Sequence, residues 1–179
     1  MKITIIRHGK VDMMWPRKCT SYDFDNACLK YDIANIEKIE SFHMEITSDR
    51  IYISPLSRSL ETAKNLFGNR EFIELSEISE VPLKSFRDTN RPHYLWIWNI
   101  IGRIQWFFNC SRQLEGIVST KKRANKAIDI FETEEKDCIL VTHGLFIKIL
   151  LKELKERGYS IKGRKHFIFQ NLEMIIAEK

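Results

Sequence analysis

The segment Lys2–Ile6 (KITII) is short, β-branched and apolar on both faces, and it stops at Arg7-His8-Gly9. That pattern predicts a buried strand that delivers a polar loop at its C-terminal end. Three more strands are predicted in the same way over Arg50–Ser54, Glu71–Leu75 and Cys138–Thr142, with further strands in HFIF (His166–Phe169) and EMIIA (Glu173–Ala177). Helical spacing is weak from Asp23 to Asp32 and clearer in ANIEKIESFHMEI, where Ile36, Ile39, Phe42 and Ile46 recur with charges between them. Ser57 is placed to cap a helix through RSLETAKNLF that Gly68 closes. A long helix is expected from Gln113 to Glu132, with Leu114, Ile117, Val118, Ala124, Ile128 and Phe131 on one face, and another in LFIKILLKELKERG, stopped by Gly158.

Strands alternating with helices imply βαβ units and an α/β fold, a three-layer α/β/α sandwich with a mostly parallel central sheet. Ligands of such sheets gather beyond the carboxyl ends of the strands. Those ends carry Arg7-His8-Gly9, Ser54-Pro55, Glu77 and His143-Gly144.

Composition bounds the picture. The 179 residues are 44% hydrophobic and 30% charged, with 7 Gly and 4 Pro, which suits one domain over 1–179 without linkers or repeats. The net charge of +5 favours an anionic partner, or else describes a solvated basic surface. Cys19, Cys28, Cys110 and Cys138 form no C-x-x-C pair, which argues against a zinc site and a disulfide scaffold. Charge arrives by Arg7, so no apolar leader is read at the start, and a cytoplasmic address is expected.

Taken together, ITIIRHGK (Ile3–Lys10), IYISPLSRSLETAKNLF (Ile51–Phe67), LSEI (Leu75–Ile78) and ILVTHGLFIKIL (Ile139–Leu150) resemble the histidine phosphatase superfamily, in the family's order and over most of the chain. The resemblance implies a phosphoglycerate mutase-like fold, a phosphohistidine intermediate on His8, and no metal or nucleotide cofactor. It also implies that the Gly9 backbone supplies the acceptor fixing the His8 ring, Gly9 allowing the chain to turn tightly there.

The chemistry of these residue types agrees. A neutral imidazole attacks phosphorus, and a covalent intermediate divides one difficult displacement into two. The transferred group spreads charge over three oxygens, which Arg7 and Arg58 can grip bidentately, while His143 adds a charge-assisted donor opposite His8. An acid/base is also required. Leu75-Ser76-Glu77 matches the family's Leu-x-Glu motif, so Glu77 is preferred and Glu80 is its rival. The Gly and Trp-Glu-Gly that often follow the acid are missing, and Lys10 stands where a Glu is common. Lys10, Ser21, Gly144 and Arg87 are therefore the candidates for substrate contacts.

The aromatic stretch His93–Phe108 is too short and too interrupted to span a bilayer, and no membrane partner is expected. It reads as a helix packed over the sheet, or as a lid in an insertion at about 81–120, with Arg87, Arg91 and His93 reaching an anionic substrate. Its aromatics from Trp96 to Trp106 also offer a surface for a homodimer. Nucleic acid is not expected as a partner, because no sheet-borne Arg/aromatic motif occurs. The expected activity is hydrolysis of a small phosphorylated metabolite. The alternatives are phosphoglycerate mutase-type transfer, protein phosphohistidine phosphatase activity, or a phosphate-binding module without catalysis.

Overall fold

The structure is a computed structural model that describes residues 1–39, 48–163 and 169–179. Its elements run β1 (Lys2–Arg7), β2 (Lys18–Cys19), α1 (Ser21–Ile33), β3 (Ile51–Ile53), α2 (Ser57–Phe67) and β4 (Ile73–Glu74). A short 3₁₀ turn (Ser76–Ile78) follows, then β5 (His93–Tyr94), α3 (Leu95–Phe107), α4 (Ile117–Glu134), β6 (Cys138–Thr142), α5 (Gly144–Glu156), β7 (Ser160–Lys162) and β8 (Met174–Glu178).

The central sheet has six strands in the order β4-β3-β6-β1-β8-β7. β4, β3, β6 and β1 are mutually parallel, and β8 runs antiparallel to both β1 and β7. Strand alternation shows why two helical layers are needed. Ile3 and Ile5 of β1, Tyr52 of β3 and Leu140 of β6 face a core shared with Ala124, Ile128 and Phe131 of α4 and Phe146 and Leu150 of α5. Their strand neighbours Ile6, Ile51, Ile53, Ile139 and Val141 face Ala63, Leu66 and Phe67 of α2. A sheet apolar on both faces must be covered on both, which yields the three-layer α/β/α architecture.

Helix ends follow local chemistry. Thr20 and Asp23 form a reciprocal capping box at the start of α1, and Gly68, with φ at 74°, closes α2 by an N–H bond to the Lys64 carbonyl. The expected Ser57 cap is not made. Leu56 occupies the cap position, and the Ser57 hydroxyl instead donates to the carbonyls of Asp32 (3.3 Å) and Ala34 (3.2 Å), tying α2 to the end of α1.

Other expectations need adjusting. The predicted helix over Ala34–Ile46 is not helical at 34–39, where Ile36 bridges to Val11 and its N–H is taken by Glu61, and the remainder lies outside the described residues. The Gln113 helix begins at Ile117, because Gln113 folds back to bond Lys84 and Gln105. β4 covers only Ile73–Glu74 of the predicted Glu71–Leu75. In HFIF, Phe169 is described and lies outside any strand, while His166–Ile168 fall outside the described residues.

Helix α3 buries Trp98, Gly102 and Trp106 and leaves Trp96, Ile100, Ile104 and Phe107 exposed. Trp98 packs with Cys19 and Phe24 in a separate small cluster, so β2, α1 and α3 form a satellite beside the sheet. Among the described residues no helix is long and apolar enough to cross a membrane.

Candidate active site

Parallel pairing in register brings three strand ends together, with Arg7 opposite Thr142 and Ile53 opposite Val141. The next residues of these strands are His8, His143 and Ser54. The ring centroids of His8 and His143 lie 4.9 Å apart, and both side chains are buried.

His8 is held from several directions. Its backbone N–H donates to the Thr142 carbonyl (2.9 Å), and its carbonyl accepts from Asn171 Nδ2 (2.9 Å) in the turn before β8. Its Nδ1 bonds to the Gly9 carbonyl at 2.7 Å. Since a carbonyl only accepts, Nδ1 carries the proton and Nε2 carries the lone pair. Gly9 does not have a positive φ. Its missing side chain makes room instead, as a Cβ there would stand 3.1 Å from Ile36 Cδ1. The Gly9 N–H donates to Thr62 Oγ1 (2.8 Å), which in turn donates to the Arg58 carbonyl (2.6 Å), so α2 fixes the loop.

Arg58, on the first turn of α2, is 1% exposed. Its Nη1 donates to Asp32 Oδ1 (3.1 Å) and the Tyr31 carbonyl (3.3 Å), and its guanidinium lies 4.8 Å over the Tyr31 ring. Its Nε donates to His143 Nδ1 at 3.2 Å. That bond makes Nδ1 of His143 an acceptor, leaving Nε2–H to bond Ser54 Oγ at 2.7 Å. The expected charge-assisted donor is therefore a neutral imidazole here, engaged on both sides.

Electrostatics agree with the tautomers. Burial, then the Arg58 charge and finally that of Arg7, depress the His8 pKa to about 3 against the opposing bond to Gly9. His143 is pushed well below the usual histidine range, first by complete burial and then by His8, Arg58, Arg123 and Arg7. Both rings are neutral at physiological pH.

Arg7 donates from Nη1 to the Phe169 carbonyl, while its buried Nε has no hydrogen-bond partner among the described residues. Gly144, the first residue of α5, lies against it, since a Cβ there would approach Nε to 3.2 Å. An unpaired buried donor beside a helix N-terminus and two further guanidinium or imidazole groups is suited to an anion.

The two candidate acids separate cleanly. Glu77, the preferred one, faces α4 and pairs with Lys126 at 2.5 Å. The bond from Lys126 lowers its pKa despite partial burial, leaving it ionised and engaged with α4. Glu80 instead lines the same cavity as Arg58, and its Oε1 accepts from the N–H groups of Val81 (2.9 Å) and Phe146 (3.1 Å). Of the two, only Glu80 lines the cavity that Arg58 opens, whereas Glu77, in the 3₁₀ turn, is engaged with α4.

Lys10, Ser21 and Arg87 do not join the cluster. Lys10 is exposed and pairs with Glu37 at 2.6 Å. Ser21 exchanges hydrogen bonds with the Thr89 backbone at 3.0 Å, which orders the start of α1. Arg87 is exposed, 3.2 Å from His93 Nε2. The bracing residues Asp32, Tyr31 and Thr62 were not singled out from sequence. Thr62, one helical turn beyond Arg58, was the most accessible of them.

From Arg58 and Glu80 a cavity of about 780 Å³ opens outward, walled by Trp15, Asp25, Cys28, Leu29, Tyr31, Asp32, Leu56, Ser79, Val81–Lys84, Leu95, Asn99, Arg103 and Leu114.

Comparisons with known proteins fit this geometry. The fold is similar to an α-ribazole phosphatase from Shigella flexneri, with a TM-score of 0.56 at 14% identity over 98% of this chain and 89% of that one. It is likewise similar to a phosphoserine phosphatase from Entamoeba histolytica (TM-score 0.54, 21% identity, 98% and 89% covered). A mycobacterial glucosyl-3-phosphoglycerate phosphatase gives 0.57 at 14% identity, with 98% and 88% covered. No curated protein sequence matches the chain. The model of the histidine phosphatase superfamily (branch 1) matches residues 3–178. The chain therefore belongs to the histidine phosphatase superfamily, branch 1.

Proposed function

We propose that the protein is a phosphomonoester hydrolase that works through a phosphohistidine on His8 without a metal ion. The observation that carries this reading is the pair of neutral imidazoles, 4.9 Å apart, with the Nδ1 of His8 tied to the Gly9 carbonyl so that Nε2 is the free nucleophile.

In the first step Nε2 of His8 attacks phosphorus and the P–O bond to the leaving alcohol breaks. Arg58 and the unpaired Nε of Arg7 supply donors for the equatorial oxygens. His143 stays neutral and, by accepting from Arg58 Nε while bonded to Ser54, holds that guanidinium beside the transferring group. Glu80 delivers the proton to the leaving oxygen, then takes one from the water that splits the N–P bond. Its Oε1 is anchored by two backbone N–H groups, which leaves Oε2 to carry that proton. Segment 81–120 forms, together with α1, the outer wall of the substrate cavity in this reading.

Purified protein should hydrolyse p-nitrophenyl phosphate in chelator, and quenching in alkaline denaturant with labelled substrate should trap phosphate on His8. Undiminished turnover by His8→Ala would refute the nucleophile assignment. Interconversion of phosphoglycerates without net phosphate release would replace hydrolysis with the mutase alternative.

A further inference from the structure

The cavity beyond Arg58 is far larger than a phosphoryl group requires, at about 780 Å³, and falls in the range of pockets that enclose a whole organic ligand. Its charged lining is largely committed within the protein. Asp25 accepts from the Ser85 N–H (2.6 Å) and hydroxyl (2.9 Å), and Asp32 accepts from Arg58 (3.1 Å). Arg103 donates to the carbonyls of Val81 (3.1 Å) and Pro82 (3.3 Å), and Asn99 to that of Leu95 (3.0 Å). The apolar part of the lining is supplied by Trp15, Cys28, Leu29, Leu83, Leu95 and Leu114.

Two of these leucines are costly as they stand. Leu29 is 66% exposed and Leu114 is 72% exposed, at the rim of the same cavity. Apolar surface held in water at a cavity mouth is stabilised when a ligand covers it. A sugar or amino-acid phosphate would bring hydroxyl, ammonium or carboxylate groups to a lining in which Asp25, Asp32, Asn99 and Arg103 are already hydrogen-bonded, and groups set against the leucines would lose water without compensation.

We propose, resting on the phosphatase reading, that the substrate is a phosphomonoester whose alcohol portion is bulky and apolar, with the phosphate at Arg58 and the hydrocarbon body against Leu83 and Leu29. The chemistry recognised is a hydrocarbon or aryl phosphate rather than a polyhydroxylated one.

The experiment is a kcat/KM series on ethyl, butyl and hexyl phosphate with glycerol phosphate alongside, all primary alkyl esters, so that size and polarity vary with little change in leaving-group chemistry. Each fully buried methylene is worth about fourfold, and the expected rise from ethyl to hexyl is at least about tenfold, with glycerol phosphate below butyl phosphate. Leu29→Asp, at an exposed rim position that tolerates a polar residue, should cut the hexyl-to-ethyl ratio by at least about fivefold while its thermal unfolding midpoint stays close to that of the parent. A flat or falling series in an enzyme that hydrolyses p-nitrophenyl phosphate overturns this inference and leaves the phosphatase reading standing. Failure to hydrolyse both p-nitrophenyl phosphate and every one of these esters overturns both.

Discussion

At its inner end the cavity is bounded by Arg58, 1% exposed and held by Tyr31, Asp32 and His143, whereas at its outer end it is bounded by Leu29 and Leu114, both more than half exposed. The inner end is built from strand termini in fixed parallel register, and each of its charged or ring groups is tied by bonds that leave little rotational freedom. The outer end comes from α1, α3 and the chain between β4 and α4, whose apolar side chains make no directional bonds into the cavity. Preorganised dipoles matter most where charge develops during a reaction. An apolar wall adapts to shape at lower cost, and it is where substrates can be told apart.

The comparison breaks most decisively at the nucleophile. His8→Ala should lower kcat on p-nitrophenyl phosphate by roughly 10⁴-fold while circular dichroism stays native, since the residue supplies the bond-forming atom rather than packing alone. Activity within tenfold of the parent would move the chemistry elsewhere. Next, Glu80→Gln should cost on the order of a hundredfold in kcat, and Glu77→Gln no more than a few-fold, because Glu77 is spent on Lys126. The reverse ranking would restore the sequence motif over the structure. Arg58→Lys keeps the charge but loses the planar fork that reaches both His143 and Asp32, and should cost about a hundredfold.

Stability against pH sharpens the contrast further. His8, depressed to about 3 in the fold and near 6.5 unfolded, binds fewer protons in the native state than in the unfolded one between those values. Stability is therefore fully present above about pH 6.5 and lost as pH falls towards 3, with a slope of at most about 1.4 kcal/mol per pH unit from this residue. Thermal melts of His8→Asn between pH 4 and 7 should show a shallower decline than the parent, and an identical decline would mean that the ring is not held neutral. The smallest effect is expected at Lys10→Ala, within about twofold in kcat/KM, since Lys10 is an exposed partner of Glu37.

How much of this was legible depended on whether a residue's place is set by its own strand or by distant chain. His8, Arg58 and His143 follow directly from strands and a helix whose hydrophobic patterns are strong, and a joint motif in family order pointed to them. The pairing of Glu77 with Lys126 was not legible, since direction within a 3₁₀ turn is invisible in a three-residue motif. Asp32 and Tyr31 were missed because α1 carries little amphipathic contrast and gains its position from its capping box and from Ser57. β2, β5 and β7, at two or three residues each, are too short to show alternation. Lys10, Ser21 and Arg87 were drawn in by proximity in sequence to the nucleophile or to the aromatic stretch, which said nothing about where their side chains bond.

The Asn171 bond to the His8 carbonyl spans 163 positions, and Leu172 and Glu173 add backbone bonds to Arg7 from the same turn. Contacts so remote along a polypeptide form late, after the loop they close has been ordered. During refolding from denaturant, recovery of turnover should consequently lag behind recovery of helical signal.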